Sequence, residues 1–208
     1  MLGDLWSFQG RYRTLHLTWI AFFLTFVVWF NLAPLATTVK ADLGLTVGQI
    51  RTVAICNVAL TIPARVLIGM LLDKFGPRIT YSSILVFSAI PCLLFASAQD
   101  FNQLVVARLL LSIVGAGFVI GIRMVAEWFP PKEIGLAEGI YGGWGNFGSA
   151  FSALTMVALA GFLSFSGGFE LPTGAVLNWR GAIALTGIVS AVYGIFYFFN
   201  VTDTPPGK

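Results

Sequence analysis

The sequence predicts an all-α membrane protein, a bundle of six transmembrane helices. Three observations carry that expectation. Of 208 residues, 57% are hydrophobic and 10% are charged, whereas a soluble domain carries about 25% charge. Mean hydropathy is +0.87. The apolar residues also gather into six long runs, and a spanning helix needs about 20 such residues. A soluble enzyme, a nucleic-acid binder and a disordered tail are all poor fits. The net charge of +3 is small, and the twelve Lys and Arg are spread along the chain. No basic block points to nucleic acid.

The first run covers about 15–39, and no charged residue lies between Arg13 and Lys40. It is too long for a cleavable signal and lacks a small-residue cleavage site. The stretch WFNLAP, with Asn31 and Pro34, interrupts it near the middle. The second run is about 52–72 and carries Arg65. The third is about 79–98. The fourth, about 104–129, carries Arg108, Arg123 and Glu127. The fifth, about 136–165, is rich in glycine. The sixth is about 181–200. Residues 1–14 precede the 15–200 bundle as a cytoplasmic segment. Residues 201–208, VTDTPPGK, are polar and proline-broken and read as the start of a cytoplasmic linker. The stretch GGFELPTGAVLN, 167–178, reads as an external loop.

Spans alternate in direction, so the even gaps share a side with both ends. That side holds Arg11, Arg13, Lys74, Arg78, Lys132 and Lys208; the other holds Lys40, Arg51 and Arg180. The positive-inside rule places both ends in the cytoplasm. The expected location is the inner (plasma) membrane, crossed several times. Cys56 and Cys92 lie inside apolar runs and read as packed core thiols. His16 is the only histidine, and no metal-ligand spacing exists. No catalytic group, metal or cofactor is expected.

Charge inside the membrane is costly, about 2.5–3.5 kcal/mol per residue on insertion scales. Arg65 lies eight residues before Asp73, so about 12 Å in from the end of its span. That is too deep for easy snorkelling, and no acidic residue shares its depth. An uncompensated guanidinium suits a small oxyanion such as nitrate, nitrite, phosphate or a carboxylate. The competing role is structural, with Arg65 bonded to a carbonyl that Pro63 frees at Ala59. Arg108 sits nearer its span end, where it can snorkel or pair.

Span five reads GLAEGIYGGWGNFGS over 135–149. Gly135, Gly139 and Gly143 recur every fourth residue, with Gly142, Gly145 and Gly148 beside them. Tight helix packing is the ordinary use of such glycines. Asn146 needs more, since an amide in lipid requires a partner. It lies about as deep as Arg65. A cationic fork, an amide and the bare backbone at Gly143 and Gly145 make a planar-anion site. Trp29 or Phe30 supplies a ring to close on it. The gap GMLLDKFGPR, Gly69 to Arg78, turns tightly at Gly76-Pro77. Asp73 ends one helix, Arg78 starts the next, and Arg123 can pair with Glu127 one turn on. Such a cluster suits a latch between helix ends.

GMLLDKFGPR resembles the loop motif between helices two and three of the major facilitator superfamily. RLLLSIVGAGF, from Arg108, is similar to its fourth-helix motif, with Ser112 where glycine is common. GGWGNFG, Gly142 to Gly148, resembles the nitrate signature of the nitrate/nitrite porter family. PARVLIGMLLDKFGPR places Arg65 before Asp73 as that family's anion-binding arginine is placed. The details look most like bacterial and cyanobacterial members. The resemblance implies that Arg65 binds the anion, Asn146 lines the site and Phe30 contacts it. It implies a cytoplasmic latch of Gly69, Asp73, Gly76, Arg78, Arg123 and Glu127. It also implies twelve spans, so this chain would be the N-terminal half and need a C-terminal six-helix half.

The expected function is therefore nitrate/nitrite uptake or exchange by alternating access, with no chemistry on the substrate. Its partners would be nitrate or nitrite, the lipid bilayer and the C-terminal half, not nucleic acid. A carrier of another small anion is the main alternative. A six-span anion channel is weaker, because no half-helix repeat of NLAP recurs. An intramembrane serine protease is weaker still. Its candidate Ser166 and His16 would lie at opposite membrane faces.

Overall fold

A computed structural model describes residues 7–205 and 207. Residues 1–6, which belong to the expected N-terminal segment, lie outside the described residues, as do Pro206 and Lys208. The helices are α1 (Gly10–Phe30), α2 (Ala36–Asp42), α3 (Val47–Ala59), α4 (Thr61–Phe87), α5 (Ala89–Ser97), α6 (Phe101–Ser112), α7 (Phe118–Trp128), α8 (Pro131–Phe162) and α9 (Trp179–Asn200). Short 3-10 turns at Ala33–Leu35, Val114–Gly117 and Leu163–Ser166 follow α1, α6 and α8.

These pieces form five continuous apolar helical stretches, of which Val47–Ser97 is 51 residues long. At 1.5 Å per residue that is about 77 Å, over twice the ~30 Å hydrocarbon core. It must cross twice, and the reversal falls at Gly76. Its φ of 78° is left-handed, and Pro77 follows. An L side chain rarely adopts that angle, whereas glycine does so freely. The chain thus makes six crossings, as the six apolar runs require.

Span one bends where WFNLAP sits. Pro34 cannot donate to an α-helical ladder, and the chain passes through a 3-10 turn before α2. The helices outrun the apolar runs at several ends. Span one starts at Gly10, where Arg11 pairs with Glu133 at 2.8 Å. Span two starts at Val47, where Thr46 and Gln49 form a reciprocal capping box. Capping and ion pairing extend these helices beyond the hydrocarbon.

Span one packs mainly on span five, and spans three and six on each other. Span two packs on span four. The glycines of span five divide by face. Gly145 is buried under the Phe22 ring, and Gly148 lies against the main chain of Phe23. Gly135, Gly139, Gly142 and Gly143 have nothing within 4 Å of where a Cβ would stand. Gly145→Ala should therefore cost about 1–3 kcal/mol by overpacking. Gly139→Ala should leave stability unchanged or slightly raised. Thermal unfolding of the two variants in detergent checks this; equal midpoints would refute the division.

The segment between spans five and six, expected as an external loop, is partly ordered. Phe169–Glu170 (β1) and Val176–Leu177 (β2) pair antiparallel, Phe169 opposite Leu177. Leu171 and Ala175 close the turn with a 2.8 Å main-chain bond. Next to it, Trp179 Nε1 donates to Asp42 at 2.8 Å. Arg180 donates to the carbonyls of Ala96 and Ala98 at 2.8 and 2.6 Å. This clasp ties together the ends of spans one, three and six on that side of the bundle.

Candidate functional site

Arg65 lies on α4, one turn after the helix break at Leu60. The break is held by span four, where the Ser112 hydroxyl accepts from the Leu60 N–H at 3.3 Å and the Ser112 carbonyl from Thr61. The Arg65 side chain is exposed. No hydrogen bond or ion pair engages it among the described residues. The structural role considered for it, bonding to a freed carbonyl at Ala59, is therefore absent from this chain. Its neighbours Ile62, Val66 and Leu67 are also exposed. Arg65 thus stands on an uncovered apolar face as an unpaired planar cation.

Span five presents a second uncovered face. Gly135, Gly139, Gly143, Trp144 and Phe147 line an open groove of about 490 Å³. Asn146 is exposed, not buried, and its amide donates to the Gly142 carbonyl of its own helix at 2.7 Å. The polar partner that the sequence demanded is thus local. No hydrogen bond joins Asn146 to Arg65 among the described residues. Gly143 is open, but Gly145 is turned inward under Phe22. Its packing explains it, and its backbone is not displayed on the open face.

Trp29 and Phe30 are packed differently. Trp29 fills the space left by Gly115, and its Nε1 donates to the Asn57 carbonyl at 2.7 Å. It is committed to the span one–two contact. Phe30 is half-buried against Phe26 and Trp29, with ring centroids 5.6 and 4.9 Å away.

Arg108 does not snorkel. It is fully buried, at 1% exposure. Its guanidinium donates to Asn31 Oδ1 at 3.0 Å and Asn57 Oδ1 at 3.4 Å. It also lies 4.7 Å over the Phe95 ring. Asn31 in turn donates to Thr186 Oγ1 at 3.0 Å. One cation thus joins spans one, two, three, four and six through neutral partners. The sequence signal for this was the pair of intramembrane asparagines, Asn31 and Asn57, whose meeting with Arg108 no spacing rule foretells.

The expected latch residues fall into separate places. Arg123 pairs with Glu127 at 3.1 Å, as their four-residue spacing implies. Gly69 has nothing within 4 Å of a Cβ position. Asp73 is exposed, with no hydrogen bond or ion pair among the described residues. Gly76 and Arg78 instead meet Asp203 from the tail. Its Oδ1 accepts from the Arg78 main-chain N–H at 2.7 Å. A Cβ on Gly76 would come within 2.8 Å of the same oxygen. The Thr202 carbonyl accepts from Trp128 Nε1 at 3.1 Å. Thr202 and Asp203 of the tail therefore dock onto the bundle. A carboxylate at a helix start is favoured by the free N–H groups there.

Six crossings, a break in span one, an unpaired arginine on an open face and a glycine-lined groove define a class. The chain is a six-helix membrane bundle with two uncovered faces. It matches the model of the Major Facilitator Superfamily over residues 18–208 and belongs to that superfamily. It is 63% identical over 222 residues to the nitrate/nitrite transporter NrtP of Picosynechococcus, covering 100% of this chain and 42% of that one. It is 61% identical over 208 residues to NrtP of Nostoc punctiforme, covering 100% and 40%. Identity to the probable nitrate/nitrite antiporter NarK1 of Thermus thermophilus is 31% over 205 residues, covering 95% and 44%. The chain thus spans about two fifths of these relatives. A solved bacterial homolog of the human lysosomal transporter Spinster, inward-facing and occupied, superposes with a TM-score of 0.77. It shares 19% identity and covers 95% of this chain and 46% of its own. That likeness establishes the fold. The protein is therefore a multi-pass membrane protein.

Proposed function

We propose that this chain forms the N-terminal half of a nitrate/nitrite carrier that works by alternating access. The observation that carries the reading is Arg65, a guanidinium within a span that is unpaired among the described residues and stands on a face none of them covers. A planar fork matches a planar oxyanion and can donate two parallel hydrogen bonds. The relatives named as nitrate/nitrite transporters favour nitrate and nitrite over other anions of similar charge. In this reading Arg65 binds the anion, and Asn146, the open backbone at Gly143 and the Phe30 ring line the site. Gly145 shapes it by letting spans one and five close up.

A second six-helix half would cover the exposed faces of spans two and five and complete the site at the bilayer midplane. Rocking of the two halves then opens the site to one side at a time, with no covalent chemistry on the substrate. Asp73, Arg78, Arg123 and Glu127 stand at the end of the bundle where such halves would latch. The Lys and Arg distribution favours the cytoplasmic side of the plasma membrane for that end. Residues 1–14 are then a cytoplasmic segment, 15–200 the bundle and 201–208 the start of a central linker, moored by Asp203.

Uptake of labelled nitrate into liposomes tests this. The chain together with a second six-helix half should give saturable uptake that nitrite inhibits and phosphate does not. The 208 residues alone should give none. Phosphate or a small carboxylate competing as well as nitrite would transfer the assignment to another anion. Uptake by the single half would sink the two-half mechanism.

A further inference from the structure

Spans three and six pack together away from the anion face and leave a groove of about 540 Å³ between them. Ser82, Ser83, Val86, Phe87 and Ile90 form one wall; Ile195, Phe198 and Phe199 form the other. The groove closes at its floor where Gly194 meets Leu85. Its walls are apolar except for the hydroxyls of Ser82 and Ser83, of which Ser83 is exposed. Ser82 is 6% exposed, and its hydroxyl has no hydrogen-bond partner among the described residues. A buried hydroxyl without a partner is costly in an apolar setting.

Arg78 stands one turn before Ser82, at the membrane end of the groove. Its guanidinium lies 4.7 Å over the ring of Phe198, a wall residue. Its Nε is buried and makes no hydrogen bond among the described residues. The nearby acid, Asp203, has its Oδ1 on the Arg78 main-chain N–H and forms no ion pair with the guanidinium among the described residues. Lys74, four residues earlier and across the reversal at Gly76, is exposed and adds a second positive charge.

Three chemistries therefore follow one another down one helix face. A cationic fork lies at the interface, an unsatisfied hydroxyl one turn deeper, and an apolar trough beyond. From Arg78 to Ile90 the face runs about 18 Å, close to one leaflet of a ~30 Å core. We infer that the groove binds one anionic phospholipid of the leaflet at that end. The Arg78 guanidinium takes the phosphate. The Ser82 hydroxyl donates to the glycerol ester carbonyl. One acyl chain lies along Val86, Ile90 and Ile195. This site is separate from the anion site and stands or falls independently of it.

Native mass spectrometry of the complete transporter, offered equal phosphatidylglycerol and phosphatidylcholine, tests the inference. The wild type should retain one phosphatidylglycerol with roughly fivefold preference. Arg78→Gln should bring the two lipids to parity, and Arg78→Lys should keep most of the preference. Val86→Trp fills the trough from an exposed position and should lose the retained lipid with an unchanged elution profile. No preference in the wild type, or a preference untouched by both Arg78→Gln and Val86→Trp, would overturn the site. Cross-linking of a Phe199→Cys variant to the second half would overturn it as well, since the groove would then be a protein interface.

Discussion

Arg65→Lys in the two-half transporter should lower nitrate kcat/KM by roughly ten- to hundredfold, the loss of one charge-assisted hydrogen bond worth about 1.5–3 kcal/mol. Lysine keeps the charge at a similar depth. It cannot present two coplanar donors to a planar anion. The loss should exceed any change in folding, because Arg65 is exposed and makes no contact that this half needs. Membrane insertion and unfolding midpoint should match the wild type. Arg65→Gln, which removes the charge as well, should leave no measurable uptake. Near-normal uptake by the lysine variant would remove Arg65 from the site. A large drop in stability would assign it to structure instead.

Arg108 should behave in the opposite way. Arg108→Ala strips the donors from Asn31 Oδ1 and Asn57 Oδ1 and leaves a cavity beside Phe95. Unsatisfied acceptors cost about 1–3 kcal/mol each and the cavity adds to that, so a loss of about 3–5 kcal/mol is expected. Removing a buried ion also relieves its desolvation, which works against the loss. Arg108→Met refills the space and should therefore fall well short of the alanine variant. Unfolding midpoints of both variants, measured in the same detergent, decide the matter. An alanine variant as stable as the wild type would show that the five-span network carries no stability. With both arginines tested, one should affect transport at constant stability and the other stability first.

The contrast between these two arginines marks the boundary of what the residues alone disclose. Both lie in apolar runs, and both cost the same to insert. Depth counting singled out Arg65 as unpaired and left Arg108 as a residue that snorkels or pairs. The difference lies in what each one meets. Asn31, Asn57, Phe95 and Thr186 come from four other spans, 26 to 155 residues distant from one another, and converge only when the bundle closes. The glycines of span five repeat the point. Their spacing revealed a smooth helix, but Gly143 and Gly145 were indistinguishable. In a membrane helix both faces are apolar, so hydrophobic periodicity does not say which one is buried. Asp203 was hidden for a related reason: a polar, proline-containing tail has the composition of a linker wherever it goes.

The number of crossings was legible without coordinates, because bilayer thickness sets the length of an apolar helix. So was the reversal at Gly76-Pro77, because only glycine takes the required angle without strain. The Arg123–Glu127 pair followed from helix geometry alone. These are local or one-dimensional constraints. The tertiary structure decided which cation is solvated and which is entombed, which glycines carry neighbours, and that the tail returns to cap span three. Those are properties of faces brought together from distant parts of the chain. Hydrogen-bond partners and close contacts exist only after that assembly.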